Sequence, residues 1–216
     1  MPSYQGVDFY KIDDLLSDEE RMVRDTVRTF VNDQVNPIID DHFETARFPI
    51  ELVPRMAELN LYGADLPEEY GCAGMNNVAY GLMMQELEAG DSGLRSFVSV
   101  QGALVMRPIY AYGSEEQKQK YLPRLSSGEI IGAFGLTEPN AGSDAGNTQT
   151  RAVKKGNGYI VNGQKAFCTN AGYAGIIIIT AVVEDGESNE EIAAFIVDKD
   201  TDGLKIGEPE KKMGWK

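Results

Sequence analysis

The chain changes texture once, at Ser126-Ser127-Gly128, and that break constrains its architecture more than any other feature. Before it, apolar residues recur at helical spacing; after it come short β-branched or alternating runs separated by Gly, Asn and Asp. Helices followed by strands, rather than interleaved with them, predict an α+β chain with segregated parts. The expected division is an all-α domain over residues 1–128 and an antiparallel, barrel-like β-domain over 129–216.

Within the helical part, Ser17 and Glu20 have the spacing of a capping box, and Met22, Val23, Thr26, Val27, Phe30 and Val31 then keep helical spacing up to Pro37. Further helices are predicted over 38–45, 50–60, 78–89 and 92–112, the last bent near Pro108. Ser114 with Gln117 opens another, expected to stop before Pro123. Strands are predicted over 130–136, 148–154, 159–168, 176–183, 192–198 and 203–206, with Lys155-Gly156-Asn157-Gly158 as a hairpin turn.

Charge narrows the function classes. Twenty basic against 34 acidic residues give a formal charge of -14, which argues against a nucleic-acid or anionic-membrane surface but leaves room for a phosphate-bearing ligand held by backbone N–H groups. The most apolar run, Ile176 to Val183, is eight residues long, far short of the roughly 20 that span a bilayer. Two cysteines, Cys72 and Cys168, fit reduced thiols, and the first ten residues lack the features of a signal peptide or an Arg-rich presequence. These observations predict a cytoplasmic protein, or a mitochondrial-matrix one if eukaryotic and processed.

Several conspicuous residues take ordinary assignments. His42, the single histidine, has no acidic or cysteine ligand pattern beside it and is expected on a helix surface; no metal site is predicted. Cys72 lacks the basic neighbour of an activated thiolate, Met83-Met84 belongs to a core, and Glu184 to Glu191 is expected to be a solvated hairpin.

The segment with ligand-binding character is Phe134 to Asp144, Phe-Gly-Leu-Thr-Glu-Pro-Asn-Ala-Gly-Ser-Asp. Ala141 and Gly142 leave space beside the main chain, Pro139 stiffens the turn, and the hydroxyls of Thr137 and Ser143 can donate to ring heteroatoms or phosphate oxygens. A second segment, Tyr159-Ile160-Val161-Asn162-Gly163-Gln164-Lys165 with Phe167-Cys168-Thr169-Asn170, supplies an aromatic ring and a hydroxyl two residues apart.

Together with Leu122-Pro123 and Gly128-Glu129, the two segments resemble the flavin-contacting motifs of the acyl-CoA dehydrogenase family. That resemblance implies FAD as cofactor. By it, Phe134, Leu136, Thr137 and Gly142 would lie at the flavin, Ser143 near both the FAD pyrophosphate and the acyl-CoA, and Phe167, Cys168 and Thr169 beside the ring and its N5 edge. Aromatic and aliphatic side chains suit a flat ring, and hydroxyls suit its polar edge.

Within the family the helical part resembles glutaryl-CoA dehydrogenase. The resemblance is carried by Tyr70 to Gly74, Val78 to Leu82, Asp91-Ser92-Gly93, Arg95-Ser96, Ser99-Val100-Gln101 and Pro108 to Gln117. It implies that Arg95 and Ser96 bind the distal carboxylate of the substrate with Glu88 nearby. A guanidinium holds a carboxylate through two parallel hydrogen bonds.

The implied reaction is oxidation of the Cα–Cβ bond of an acyl-CoA, glutaryl-CoA first among substrates, with or without decarboxylation to crotonyl-CoA. It requires a carboxylate to take the α-proton, donors for the developing enolate and a hydride acceptor. The resemblance places the base in a C-terminal helical domain, so no catalytic base is expected in these residues, and Glu138 in its proline-flanked loop is expected to be structural or solvent-facing. Taken alone the chain is expected to be an inactive N-terminal portion. Electron-transferring flavoprotein is the implied redox partner and a homotetramer the implied assembly. Alternatives are a dehydrogenase of another carboxylated or a short straight-chain acyl-CoA, or a non-catalytic binding module derived from the fold.

Overall fold

A computed structural model describes residues 7–184 and 191–214. Helix α1 (Asp18–Phe30) starts on the predicted capping box: the Glu20 amide donates to the Ser17 hydroxyl at 3.2 Å, and the Ser17 amide to the Glu20 carboxylate at 2.8 Å. It continues as a π-helical segment, Val31–Val35, and α2 (Ile39–Thr45) and the short α3 (Val53–Glu58) lead to α4 (Asn77–Gly90). Arg28 of α1 forks onto the buried carboxylate of Glu86 on α4, at 2.9 and 2.8 Å. Met83 lies in the core between them.

Residues 92–112 form α5 (Ser92–Ser99), a π-helical stretch Val100–Met106 and α6 (Arg107–Tyr112). The irregularity therefore precedes Pro108 rather than bending the helix at it. The Arg107 amide reaches back to the Gly102 carbonyl, a widened turn that absorbs the approach of a residue with no amide of its own.

Helix α7 (Glu115–Ser126) opens on the second predicted capping box but runs through Pro123, against the expected stop. Leu122 and Leu125 on either side of it are fully buried, and their burial carries the helix past the missing hydrogen bond. His42 is also not a surface residue. It is buried, with Nδ1 2.9 Å from the Arg47 carbonyl and Nε2 3.0 Å from Glu51, because the turn after α2 folds back over the ring.

The strands are β1 (Gly132–Gly135), β2 (Arg151–Lys155), β3 (Gly158–Asn162), β4 (Ile176–Glu184) and β5 (Glu191–Asp198). They form a mixed sheet, not the wholly antiparallel one expected. β1 pairs in parallel with the first half of β4 and β2 in parallel with its end, while β5 runs antiparallel along its length. The β2–β3 hairpin forms at the predicted turn, pairing Lys155 with Gly158. Parallel returns need long crossovers, and the 40 residues between the end of β1 and the start of β4 include the turn from Leu136 to Asp144 and that hairpin. The strand expected over 159–168 stops at Asn162, none forms over 203–206, and 185–190 of the predicted solvated hairpin lie outside the described residues.

One hydrophobic core joins the two parts, running from Phe30, Met83 and Leu87 through Phe97, Val105 and Leu122 to Ile131, Ile176 and Ile178. At the seam the side chain of Gln101, completely buried in the π-helical stretch, donates to the carbonyls of Leu125 at 2.9 Å and Ile130 at 3.0 Å. It accepts from the Gly132 amide at 2.7 Å. Strand β1 lies so close to this stretch that a Cβ on Gly132 would stand 2.5 Å from a methyl of Val105. The helices thus fix the strand that leads into the Phe134–Asp144 loop.

Candidate functional site

The main chain leaves β1 at Gly135 and makes a tight turn in which Glu138 and Ala141 exchange both backbone hydrogen bonds, at 2.8 and 3.2 Å, around Pro139-Asn140. Side chains alternate along β1, so Phe134 and Leu136 share a face. Phe134 is half-buried against the main core, and Leu136, at the end of the same face, is exposed. Thr137 is half-buried, Gly142 and Ser143 are exposed, and no heavy atom lies within 4 Å of where a Cβ on Gly142 would stand.

The second segment meets this loop directly. The Ala166 amide donates to the Thr137 carbonyl at 2.8 Å, and Lys165 Nζ donates to the Leu136 carbonyl at 3.2 Å. A Cβ on Gly135 would lie 3.0 Å from Lys165 Cγ and 3.2 Å from Cys168 Sγ, so that position admits little more than a hydrogen. Phe134, Leu136 and Thr137 are thereby brought beside Phe167, Cys168 and Thr169. Residues 163–170 do this as a non-repetitive segment, not as the strand expected, since successive turns at Phe167 and Asn170 break any ladder.

Phe167 has a left-handed backbone, φ 55°, and the residue is 72 % exposed. A bulky residue held in that region costs about 1–2 kcal/mol, and its apolar ring gains little by burial within the described residues. Thr169 is exposed beside it. Asn170, also left-handed at φ 71°, donates through Nδ2 to the Phe97 carbonyl of α5 and the Gly132 carbonyl of β1, both at 3.2 Å. The joined segments carry two exposed apolar groups, Leu136 and Phe167, with the hydroxyls of Thr137 and Thr169 next to them in sequence, a candidate platform whose chemistry suits a flat heteroaromatic ring with a polar edge.

Glu138 lies behind this platform, buried. Its carboxylate accepts from the hydroxyls of Thr148 and Thr150, the latter at 2.5 Å, from the Gln149 amide at 2.6 Å, the Thr150 amide at 3.1 Å, and Lys165 Nζ at 2.7 Å. Burial pushes its proton affinity up, but Lys165 and these donors outweigh burial and hold the carboxyl well below the usual range. It is structural, as expected of a loop glutamate, but not solvent-facing. The half-buried Cys168 thiol is pushed up by burial, with Lys165 acting against it, and burial raises Cys72 to about 11; both cysteines are free thiols.

The residues expected at the acyl end lie on α4 and α5. Arg95 Nε donates to Glu88 at 2.5 Å, and the Ser92 hydroxyl donates to the other oxygen of Glu88 at 2.6 Å; these two contacts, Ser92 first, lower the Glu88 carboxyl. Ser96 is buried one residue on. The same helix supplies the Phe97 carbonyl bound by Asn170, so the structure links Arg95 and Ser96 to the Phe167–Asn170 segment through two residues of helix and one side chain.

Gln101 and Asn170 have no role predicted from sequence. Lys165 sits inside a recognised motif, yet nothing in its neighbours announces that Glu138, 27 residues earlier, is its partner. A groove of about 700 Å³ between α7, the start of β4 and the end of β5 contains no residue of the Phe134–Asp144 loop or the Phe167–Asn170 segment. It mixes Arg124 and Lys199 with Glu129, Asp198 and Asp200. No helix among the described residues is long and apolar enough to cross a membrane.

Residues 17–129 match the acyl-CoA dehydrogenase N-terminal domain family and residues 133–216 the acyl-CoA dehydrogenase middle domain family. A probable acyl-CoA dehydrogenase of Bacillus subtilis is 43 % identical over 202 residues, 92 % of this chain and 53 % of the relative. A short-chain specific acyl-CoA dehydrogenase of Clostridium acetobutylicum is 42 % identical over 92 % of this chain and 52 % of its own. The crystal structure of a glutaryl-CoA dehydrogenase from Mycobacterium smegmatis in complex with FADH2 superposes with a TM-score of 0.92 at 45 % identity, covering 99 % of this chain and 54 % of that one. The chain spans about half the length of the curated relatives it matches.

Proposed function

From the premise that this chain belongs to the acyl-CoA dehydrogenase family, we propose that it provides the flavin-placing and acyl-reading half of an FAD-dependent enzyme that oxidises the Cα–Cβ bond of an acyl-CoA. The observation that carries this reading is the junction of the two motifs, the Ala166 amide on the Thr137 carbonyl, beside a Phe167 ring that is exposed despite a strained backbone. Leu136 and Phe167 would hold the ring, Thr137, Cys168 and Thr169 would lie along its edge, and Gly142 and Ser143 would leave space and a hydroxyl for phosphate. Phe134, packed against the core, would anchor the start of this loop. Bound there, the flavin supplies the acceptor for the β-hydride.

Glu138 does not take the α-proton. Its oxygens are committed to five donors and its proton affinity is depressed, whereas a general base works best with a pKa near the operating pH. In this proposal the base lies in polypeptide outside these 216 residues, and the chain alone does not turn over. Electron-transferring flavoprotein as oxidant of the reduced flavin, a homotetrameric assembly and a cytoplasmic setting, or a mitochondrial matrix one in a eukaryote, belong to the same reading.

For the substrate we propose glutaryl-CoA. Arg95 presents a guanidinium held at 2.5 Å by Glu88, a carboxylate that an incoming distal carboxylate would replace or share, with Ser96 beside it. The 45 % identity to a glutaryl-CoA dehydrogenase supports this. Likeness to a short-chain specific relative supports a second reading, a straight-chain acyl-CoA, in which Arg95–Glu88 is only a surface ion pair. Titration of the holoprotein with glutaryl-CoA and butyryl-CoA, read by the flavin absorbance, separates the two. Tighter glutaryl-CoA binding that depends on Arg95 supports the first, and indifference to the distal carboxylate supports the second. Absence of any FAD binding would overturn both.

A further inference from the structure

We propose that the buried Glu138–Lys165 ion pair is a positioning pair that latches the turn carrying Leu136 and Thr137 onto the segment carrying Phe167 and Thr169, so that both sides of the flavin platform are set before FAD arrives. The inference rests on the assignment of those two motifs to FAD.

The pair joins segments distant in sequence. Lys165 directs its three N–H donors at four acceptors: Glu138 at 2.7 Å, the Leu136 carbonyl at 3.2 Å, the Thr148 hydroxyl at 3.2 Å and the Thr180 hydroxyl of β4 at 3.1 Å. Glu138 in turn gathers the hydroxyls of Thr148 and Thr150 and two amides of that stretch. One cation and one anion therefore tie the turn, the lead-in to β2, the second motif and β4 at a single point. The backbone bond from Ala166 to Thr137 follows Lys165 immediately, and Phe167 comes next.

Burying two charges is costly, and an apolar pair of similar volume would serve stability as well or better. What an apolar pair lacks is direction. The bonds to the Leu136 carbonyl and to Glu138 fix the rotation and depth of the turn, which packing of a methyl group would leave free to slide. The pair touches no surface of the platform, since both side chains are almost wholly buried. Its effect on the flavin must therefore pass through the backbone of Leu136, Thr137 and Ala166.

The test is made on the holoprotein with Glu138→Gln, Lys165→Met and the double substitution, measuring FAD affinity, the flavin visible spectrum and hydrogen exchange at individual amides. Each single substitution is expected to weaken FAD binding about tenfold, the scale of a lost hydrogen bond to a charged group. It is expected to accelerate exchange at Ala166 while leaving α1 and α4 protected, and to blur the vibronic structure of the flavin band. The double substitution is expected to be no worse than the poorer single one, because the two charges act as a unit. FAD affinity unchanged, or Ala166 exchange unchanged, overturns the proposal. Loss of protection throughout α1 and α4 overturns it as well, since the pair would then be a general element of stability. If the unsubstituted protein binds no FAD, the assignment of the motifs fails; if it binds FAD normally and the substitutions have no effect, only the latch fails.

Discussion

The amide of Ala166 lies 2.8 Å from the carbonyl oxygen of Thr137, and this hydrogen bond joins the segment carrying the exposed Phe167 to the loop carrying the exposed Leu136. Two segments are thus joined through residues 29 positions apart in sequence. Their most unusual member is Phe167, whose backbone is strained while its ring does little for the fold.

Phe167→Gly separates ligand binding from stability. Glycine relieves the left-handed strain, so the apoprotein is expected to keep its stability or gain up to ~1 kcal/mol in urea denaturation. FAD titration of the same variant is expected to show at least about tenfold weaker binding, the loss of a buried aromatic contact. A fall of several kcal/mol in the apoprotein would mean that the ring packs internally.

Arg95→Ala is expected to weaken glutaryl-CoA binding about 100-fold, the scale of losing a bidentate charge-assisted pair, and to change butyryl-CoA binding by less than about threefold. Its effect on stability is expected to stay within ~1 kcal/mol, because the Arg95–Glu88 pair is partly exposed. Equal losses for the two ligands would remove Arg95 from substrate selection.

Gln101→Leu is expected to destabilise the protein by ~3–4 kcal/mol, since the carbonyls of Leu125 and Ile130 and the amide of Gly132 would be left buried without their partner. Urea denaturation measures this. A loss below ~1 kcal/mol would show that water or a local shift satisfies those groups.

Acid should expose Glu138. Its folded carboxyl is depressed below the ordinary 4.5, so its contribution to stability is complete above that value and declines as pH falls through the depressed folded value. Wild-type stability is therefore expected to fall more steeply below pH 4.5 than that of Glu138→Gln, with the slopes converging above it. Parallel curves over the acid range would contradict the depressed assignment.

The sequence made the local features of the fold legible. Both capping boxes, the Gly156-Asn157 turn and the change from helix to strand at 126–128 depend on neighbours within a few positions, and all are found where the spacing puts them. What was not legible depends on how the elements pack. Pro123 is carried inside α7 by the burial of Leu122 and Leu125, and His42 is covered by Arg47 and Glu51. The parallel pairing of β1 with β4 is set by the length of the crossover.

The candidate site shows the same division. Its motif residues were recognisable one by one, and the structure brings the two sets together. The groups that join them were hidden because each bond spans 15 to 73 residues: Lys165 to Glu138 and Thr180, Asn170 to Phe97 and Gly132. A short window of sequence carries no trace of such pairs.

Asn170 binds the backbone of α5 and of β1 with a single amide group, two residues downstream of Arg95 on one side and at the root of the Phe134–Asp144 loop on the other. With Gln101 closing the same seam from within, the interval between Arg95 and the platform becomes a dimension of the scaffold, like the gap of a caliper locked by its screw. On the proposed assignment, the carboxylate-reading helix and the flavin-bearing loop are then parts of one frame, and neither can drift without the other.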